Sequence, residues 1–368
     1  VLLKNDGLLP LNRDRLRTVA VIGPNADHIP ALTANYNGKP SECYTVLQGV
    51  KALCPGARVL YAPGCILSGK PDQEAWGERP GAGLAEAITC ASLADVVILV
   101  TGLDATMEGE EGDAGDGDKT SLALPEMQQR LLEAVAGTGR PVILVNMTGS
   151  AVELAPAQER CAAILQAWYP GQYGGLAVAE TLLGLNNPSG RLPITFYKDL
   201  SQVPDFTDYS MRGRTYRYLT EEPLYPFGYG LSYTRFGYSQ LKISSGSLRA
   251  GEELTCTVTV ANRGETGGWE TVQLYMAGPQ GAGGQPLRAL KGFRSLYLEP
   301  GDKMKVTFVL EPEDMACVHD DGEVWLEEGQ YRLWVGGHNG DGLSARLAGY
   351  KALTTVFRLE GSLKLEDA

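Results

Sequence analysis

The sequence is short of positive charge. Lysine and arginine number 32 against 44 aspartates and glutamates, a net charge of −12. A chain this acidic repels phosphate backbones and anionic membrane surfaces, which argues against nucleic acid or a membrane as partner. Histidine is scarcer still: His28, His319 and His338 have no cysteine or histidine neighbour at ligand spacing, so no metal motif is present. No window reaches the ~18 uninterrupted apolar residues of a membrane span. No basic-then-apolar signal segment opens the chain, whose Val1-Leu2-Leu3-Lys4 start reads as the end of an element in a fragment of something larger. The seven cysteines form no CxxC pair, which favours mostly free, buried thiols and a cytoplasmic, reducing compartment. One bridge among Cys43, Cys54 and Cys65 stays open. There is no G-x-S-x-G elbow for a serine hydrolase. Gly23-Pro24-Asn25-Ala26-Asp27 is not a dinucleotide fingerprint, and its proline lacks an N–H that a phosphate would use.

What is present is a two-part pattern. With 368 residues, 43% of them hydrophobic, the chain holds two or three domains at ~150 residues each. Up to about residue 200, continuous apolar runs alternate with helical patterns. Thr18–Gly23, Val96–Val100, Pro141–Val145 and Ala162–Trp168 read as strands buried on both faces, hence a largely parallel sheet. Helices are expected over 83–93, 125–137 and 173–184, the second with Pro125 in its first turn. The fold class is α/β, a layered αβα sandwich over 1–200, whose ligands gather at the carboxyl ends of the strands. A connecting segment over 201–236 follows, rich in Pro, Tyr and Arg. Residues 237–368 change to period two (254–260, 272–275, 306–310, 329–336), the mark of an immunoglobulin-like β-sandwich.

The segment Gly102–Asp118 follows a buried strand and carries Asp104, Glu108, Glu110, Glu111, Asp113, Asp116 and Asp118, with only Lys119 to offset them. Crowded like charges raise at least one pKa, which keeps a carboxylic acid protonated near neutral pH. On composition alone, a solvated acidic loop is the simpler explanation. A calcium loop does not fit, because the spacing departs from D-x-[DN]-x-[DN]-G and loop position twelve is Leu124. The rings and arginines of Gly213–Tyr218 and Tyr225–Gly230 fit either sugar stacking or, more simply, structural packing.

Several segments together resemble family three glycoside hydrolases, across essentially the whole chain. Val1–Leu11, Val21–Asp27, Asn35–Gly49, Trp168–Gln172 and Asn187–Phe196 resemble that family's αβα domain, and Pro204–Tyr218 and Tyr225–Thr234 its exit segment. Pro286–Phe293 and Gly329–Gly337 resemble its closing fibronectin type III-like domain.

The resemblance implies a retaining exo-β-glycosidase without metal or organic cofactor. Such chemistry uses an ionised nucleophile and a protonated acid ~5 Å apart across the scissile bond. The nucleophilic Asp is then on a (β/α)₈ barrel, for which this sequence has no eightfold pattern; the barrel is implied as a partner in cis or trans. The general acid/base is implied at Glu108, ahead of Leu122-Ala123-Leu124-Pro125; the insert Gly112–Gly117 leaves Glu110 and Glu111 as alternatives. The implied substrate is an oligosaccharide or β-glycoside ending in β-linked xylose or glucose, and Asn35–Gly49 leans towards the xylosidases. The competing expectation is a non-catalytic carbohydrate-binding or scaffolding module.

Overall fold

A computed structural model describes residues 1–35, 37–68, 83–108, 119–279, 285–319 and 321–365. The chain divides into two compact units. The first is Val1–Asn186 with Tyr197–Leu200, and the second is Asn187–Phe196 with Ser201–Ala368.

The first unit is a six-stranded sheet flanked by helices. Its strands are β1 (Leu2–Asn5), β2 (Thr18–Ile22), β3 (Arg58–Ala62), β4 (Val96–Gly102), β5 (Val142–Met147) and β6 (Ala163–Gln166), in the order β1-β6-β5-β4-β2-β3. The pairs β2–β3, β2–β4, β4–β5 and β5–β6 are all parallel. Every residue of β4, β5 and β6 is buried, as their uninterrupted apolar runs require of strands covered on both faces. The helices are α1 (Pro30–Thr33), α2 (Val46–Leu53), α3 (Leu84–Leu93), α4 (Glu126–Ala136), α5 (Ala155–Arg160) and α6 (Gly174–Leu182).

Four local features were not foreseen in the sequence reading. Leu2–Asn5 forms β1, an edge strand antiparallel to β6, so the sheet is mixed. Strand β3, exposed or half-buried up to Ala62, has too few buried apolar positions to stand out as a core strand. Pro125 lies one residue ahead of α4, at its N-cap with ψ 140°, and not in its first turn. Helix α2, also unforeseen, is opened by a capping box: Gln48 N–H donates to Thr45 Oγ1, and Thr45 N–H to Gln48 Oε1 at 3.0 Å.

All seven cysteines are free, which closes the question of a bridge among Cys43, Cys54 and Cys65. Cys54, Cys65, Cys161 and Cys256 are buried, and burial pushes the thiols of Cys65 and Cys161 up to about 12.

The second unit is β-rich. Its strands run β7 (Phe236–Ile243), β8 (Ser247–Arg249), β9 (Leu254–Asn262), β10 (Gly268–Ala277), β11 (Ala289–Leu298) and β12 (Lys303–Leu310). They continue as β13 (Cys317–Val318), β14 (Val324–Leu326), β15 (Gly329–Gly336), β16 (Leu353–Glu360) and β17 (Leu363–Leu365). Sheets β11-β10-β15-β16-β8 and β12-β9-β7 enclose a core of alternate residues such as Leu254, Cys256, Val258, Phe308, Leu333 and Phe357. A small third sheet is β13-β14-β17. The aromatic residues of 213–230 pack inside this unit: Tyr216 stacks on Phe227 at 4.2 Å, and Tyr225 on Tyr229 at 5.9 Å. Tyr225 and Tyr229 are buried, which is structural packing and not a sugar platform.

Candidate active site

The acidic segment leaves the carboxyl end of β4, next to the ends of β5 and β6. Strand β4 ends at Gly102, whose φ is 150° and where a Cβ would lie 1.9 Å from the Met147 carbonyl oxygen. Only glycine allows β4 and β5 to meet this closely. Gln128 of α4, fully buried, holds the same peptide: its Oε1 accepts from Gly102 N–H at 2.9 Å and its Nε2 donates to Gly102 O at 2.8 Å. Leu103 N–H then donates to Met147 O at 2.8 Å, and Asn25 Nδ2 to Leu103 O at 3.0 Å.

The next carboxylate, Asp104, is buried. Its Oδ1 accepts from Thr106 N–H (3.0 Å) and Thr106 Oγ1 (2.6 Å), and its Oδ2 lies 2.8 Å from His28 Nε2. Burial pushes its pKa up, but the His28 and Thr106 contacts outweigh burial and hold it below the ordinary value. The Asp104 carbonyl accepts from Met107 N–H (3.0 Å) and Glu108 N–H (3.1 Å), one turn that turns Glu108 back over the sheet edge.

Glu108 sits in a cradle of five donors. Oε2 accepts from Gly149 N–H at 2.6 Å and from the Tyr169 hydroxyl; Oε1 accepts from Ser150 N–H at 3.2 Å, the Ser150 hydroxyl and Lys119 Nζ at 3.0 Å. Its side chain is 8% exposed. Burial works to raise the carboxyl pKa, yet Ser150, Tyr169, Lys119 and Gly149 together bring it below the usual glutamate value. Among the described residues, the groups that contact the Glu108 oxygens are donors and a cation, and they move its pKa down and not up. Tyr169 is correspondingly held protonated, by burial and by Glu108 itself.

The cradle rests on a buried polar network at the ends of β5 and β6. Asn146 Nδ2 donates to Gln166 Oε1 (2.6 Å), Gln166 Nε2 to Thr148 O (3.0 Å), and Thr148 Oγ1 to Ser150 O (2.8 Å), which shapes the turn whose amides face Glu108. Gly149 is fixed by space: a Cβ there would meet Tyr169 Cε2 at 2.7 Å and Glu108 Oε2 at 3.2 Å. Trp168, just before Tyr169, has φ 58°, a left-handed backbone uncommon for a bulky residue and costly to hold.

Of the residues singled out in the sequence, the structure brings Glu108 and Asp104 to this edge, with Lys119 as counter-ion. Glu110, Glu111, Asp113, Asp116 and Asp118 lie outside the described residues. Sequence reasoning missed His28, Gln128, Gly149 and Ser150. Tyr169 lay inside the quoted Trp168–Gln172 segment, but nothing there ties it to Glu108.

Residues 1–233 match the glycosyl hydrolase family 3 C-terminal domain, and residues 270–339 a fibronectin type III-like domain. The chain belongs to glycosyl hydrolase family 3. Among its family relatives are a beta-xylosidase of Formosa agariphila, 35% identical over 349 residues, and a periplasmic beta-glucosidase of Salmonella typhimurium, 33% identical over 363 residues. Each alignment covers 91% of this chain and 46% of the relative, so the chain spans about half the length of the curated relatives it matches. Among solved structures of the family, an exo-beta-xylosidase bound to a xylobiose aziridine probe superposes with a TM-score of 0.82 at 30% identity, covering 99% of this chain and 47% of that one. A beta-glucosidase from Listeria innocua with isofagomine gives a TM-score of 0.78 at 27% identity, over 98% of this chain and 48% of that one. No helix among the described residues is long and apolar enough to cross a membrane. The reducing, cytoplasmic expectation has no support in these relatives, one of which is named periplasmic.

Proposed function

We propose that this chain supplies the general acid/base of a retaining exo-β-glycosidase that removes terminal β-linked xylose or glucose from oligosaccharides. The nucleophilic aspartate comes from a (β/α)₈ barrel, in cis or in trans. The observation that carries this reading is the position of the acidic loop in a family 3 chain: it leaves the carboxyl end of a buried parallel strand, where such sheets present ligand contacts.

A general acid working near neutral pH must hold its proton, so its pKa has to be raised. Glu108 has the opposite environment, one that stabilises the carboxylate. We therefore assign Glu108 to positioning: ionised in its cradle, it pins the start of the loop to the ends of β5 and β6. The proton then belongs to Glu110 or Glu111, the carboxyl groups that follow directly. That group protonates the leaving oxygen in the first step and activates water as a base in the second.

The test uses the protein that carries this chain with its barrel, and the variants Glu108→Gln, Glu110→Gln and Glu111→Gln. Loss of the acid costs ~10²-fold or more on xylobiose or cellobiose, whose leaving groups need the proton. Aryl glycosides with acidic phenols are nearly spared in their first step, and azide restores turnover, since an anion needs no base. The assignment expects this pattern at Glu110 or Glu111. At Glu108 it expects a loss shared by both substrate types and no azide rescue. Azide rescue of Glu108→Gln alone would return the proton to Glu108, and absence of the pattern from all three would remove the loop from the mechanism. Without a barrel, the purified chain is expected to turn over neither an aryl xyloside nor an aryl glucoside, because on this reading the nucleophile that forms the covalent intermediate lies on the barrel.

A further inference from the structure

We propose that Cys317, His319 and Glu327 form a zinc site in the β-rich unit, a proposal independent of how the acidic loop is assigned. The three residues belong to one small hairpin and the turn that leaves it. Strands β13 and β14 pair antiparallel, Cys317 opposite Trp325, and the connection is closed by His319 N–H to Glu323 O and Gly322 N–H to His319 O, both 2.9 Å. Cys317 and His319 are two residues apart on an extended segment and so project to the same side. Glu327 follows β14 directly. Its carbonyl accepts from the Tyr331 hydroxyl at 2.9 Å, which fixes the backbone there.

One ligand atom from each of the three side chains lies within 4.8 Å of the other two, and all three residues are half-buried. His319 Nε2 is buried and lacks a hydrogen bond. Glu327 Oε1 is 2.8 Å from it, close enough for an ion pair, but off the direction in which a ring N–H would point. A buried ring nitrogen that faces a carboxylate without bonding to it is a poor arrangement for a proton and a good one for a shared cation. The imidazole plane is held by Trp325, whose ring stacks on it at 6.1 Å and 17°, while Trp325 Nε1 donates to Glu323 Oε2 at 3.0 Å. The carboxylate of Glu323 is thereby occupied, as is its other oxygen by Lys364 Nζ at 2.6 Å, so neither competes for the site.

The donor set selects the metal. One sulfur, one imidazole nitrogen and one carboxylate oxygen suit a borderline-soft divalent ion, and three protein ligands leave the fourth tetrahedral position to water. Magnesium and calcium prefer all-oxygen shells and are disfavoured by the thiol. On binding, the Cys317 S–H bond breaks, its proton passes to solvent and the thiolate joins the metal. Thiolate and carboxylate then carry two negative charges that the dication cancels. The bound ion ties the β13–β14 hairpin to the start of β15, a staple for a sheet whose strands are only two and three residues long.

The experiment is a cobalt titration of the full chain, stripped of metal and kept reduced. One equivalent of Co²⁺ should give the intense visible bands of a tetrahedral site and a sulfur-to-cobalt charge-transfer band. Zn²⁺ should abolish both, and Mg²⁺ should not. Cys317→Ser should lose the charge-transfer band, and His319→Gln and Glu327→Gln should keep it but weaken binding at least about tenfold. Cys43→Ser and Cys90→Ser, which alter the other half-buried thiols of the first unit, should leave the titration unchanged. Cobalt binding without a sulfur band, or a band that survives Cys317→Ser, would overturn the site. Should Cys317→Ser fail to fold by far-ultraviolet circular dichroism, Glu327→Gln decides: unchanged affinity in that variant is equally fatal.

Discussion

The Tyr169 hydroxyl donates to Glu108 Oε2, a contact across 61 residues of sequence that joins the loop after β6 to the loop after β4 over the end of β5. It makes the acidic loop dependent on two other strands. Removing the hydroxyl tests this directly. Tyr169→Phe keeps the ring but leaves a buried carboxylate short of a donor, which costs about 1.5–3 kcal/mol of unfolding free energy at neutral pH. Urea denaturation measures it; a midpoint equal to that of the parent chain would show that the hydroxyl contributes nothing.

Acidification separates the ionised from the protonated state of Glu108. A carboxyl whose folded pKa is depressed stabilises the fold above its unfolded pKa, and that contribution disappears as pH falls through the folded value. Glu108→Gln should therefore be less stable than the parent at pH 7, by a margin that shrinks below about pH 4, where unfolded glutamate titrates. The margin is read from denaturation curves at stepped pH. If it widened on acidification, Glu108 would be held protonated and the positioning role would fall.

Gly149 is the narrowest point of the cradle. Gly149→Ala forces a methyl between the Tyr169 ring and the Glu108 carboxylate, and overpacking of this kind costs about 1–3 kcal/mol. The same change should release the loop, visible as faster amide exchange at Met107 and Glu108. Stability and exchange both unchanged would mean that the turn yields freely.

Arg191, from the Asn187–Phe196 segment that carries part of the family resemblance, pairs with Glu270 at 2.5 Å, with side chains 10% and 1% exposed. Arg191 Nε also donates to Gly337 O at 3.2 Å, and the Tyr238 hydroxyl to Glu270. Truncating one partner strands a buried charge: Glu270→Ala should cost about 3–5 kcal/mol, while replacing both partners by methionine should cost far less. Thermal melts of the single and paired variants check this. Equal losses would show that the cost lies in packing and not in the unpaired charge.

The buried strands β2, β4, β5 and β6 were legible as apolar runs, because strands covered on both faces have little room for polar residues except at their carboxyl ends, where Asn146 and Gln166 bond to each other. The change to period two marked the β-rich unit for the matching reason, that strands such as β12 bury one face and leave the other to solvent. Strands β1 and β3 escaped because edge strands need less apolar sequence. Local resemblance located the loop that begins at Gly102, and the sequence placed Glu108 within it.

The neighbours of Glu108 along the chain and those that touch it in space act on its proton in opposite directions. Along the chain its neighbours are carboxylates, and like charge raises a pKa. In space its oxygens face the amides of Gly149 and Ser150, the hydroxyls of Ser150 and Tyr169 and the ammonium of Lys119. Sequence by itself determined which strands are buried and where an acidic loop leaves the sheet, since both follow from the chemistry of contiguous residues. Only the tertiary structure shows which groups surround the Glu108 carboxylate and in which direction they move its pKa, because a pKa is set by whatever lies within a few ångströms, and here most of those groups come from other strands.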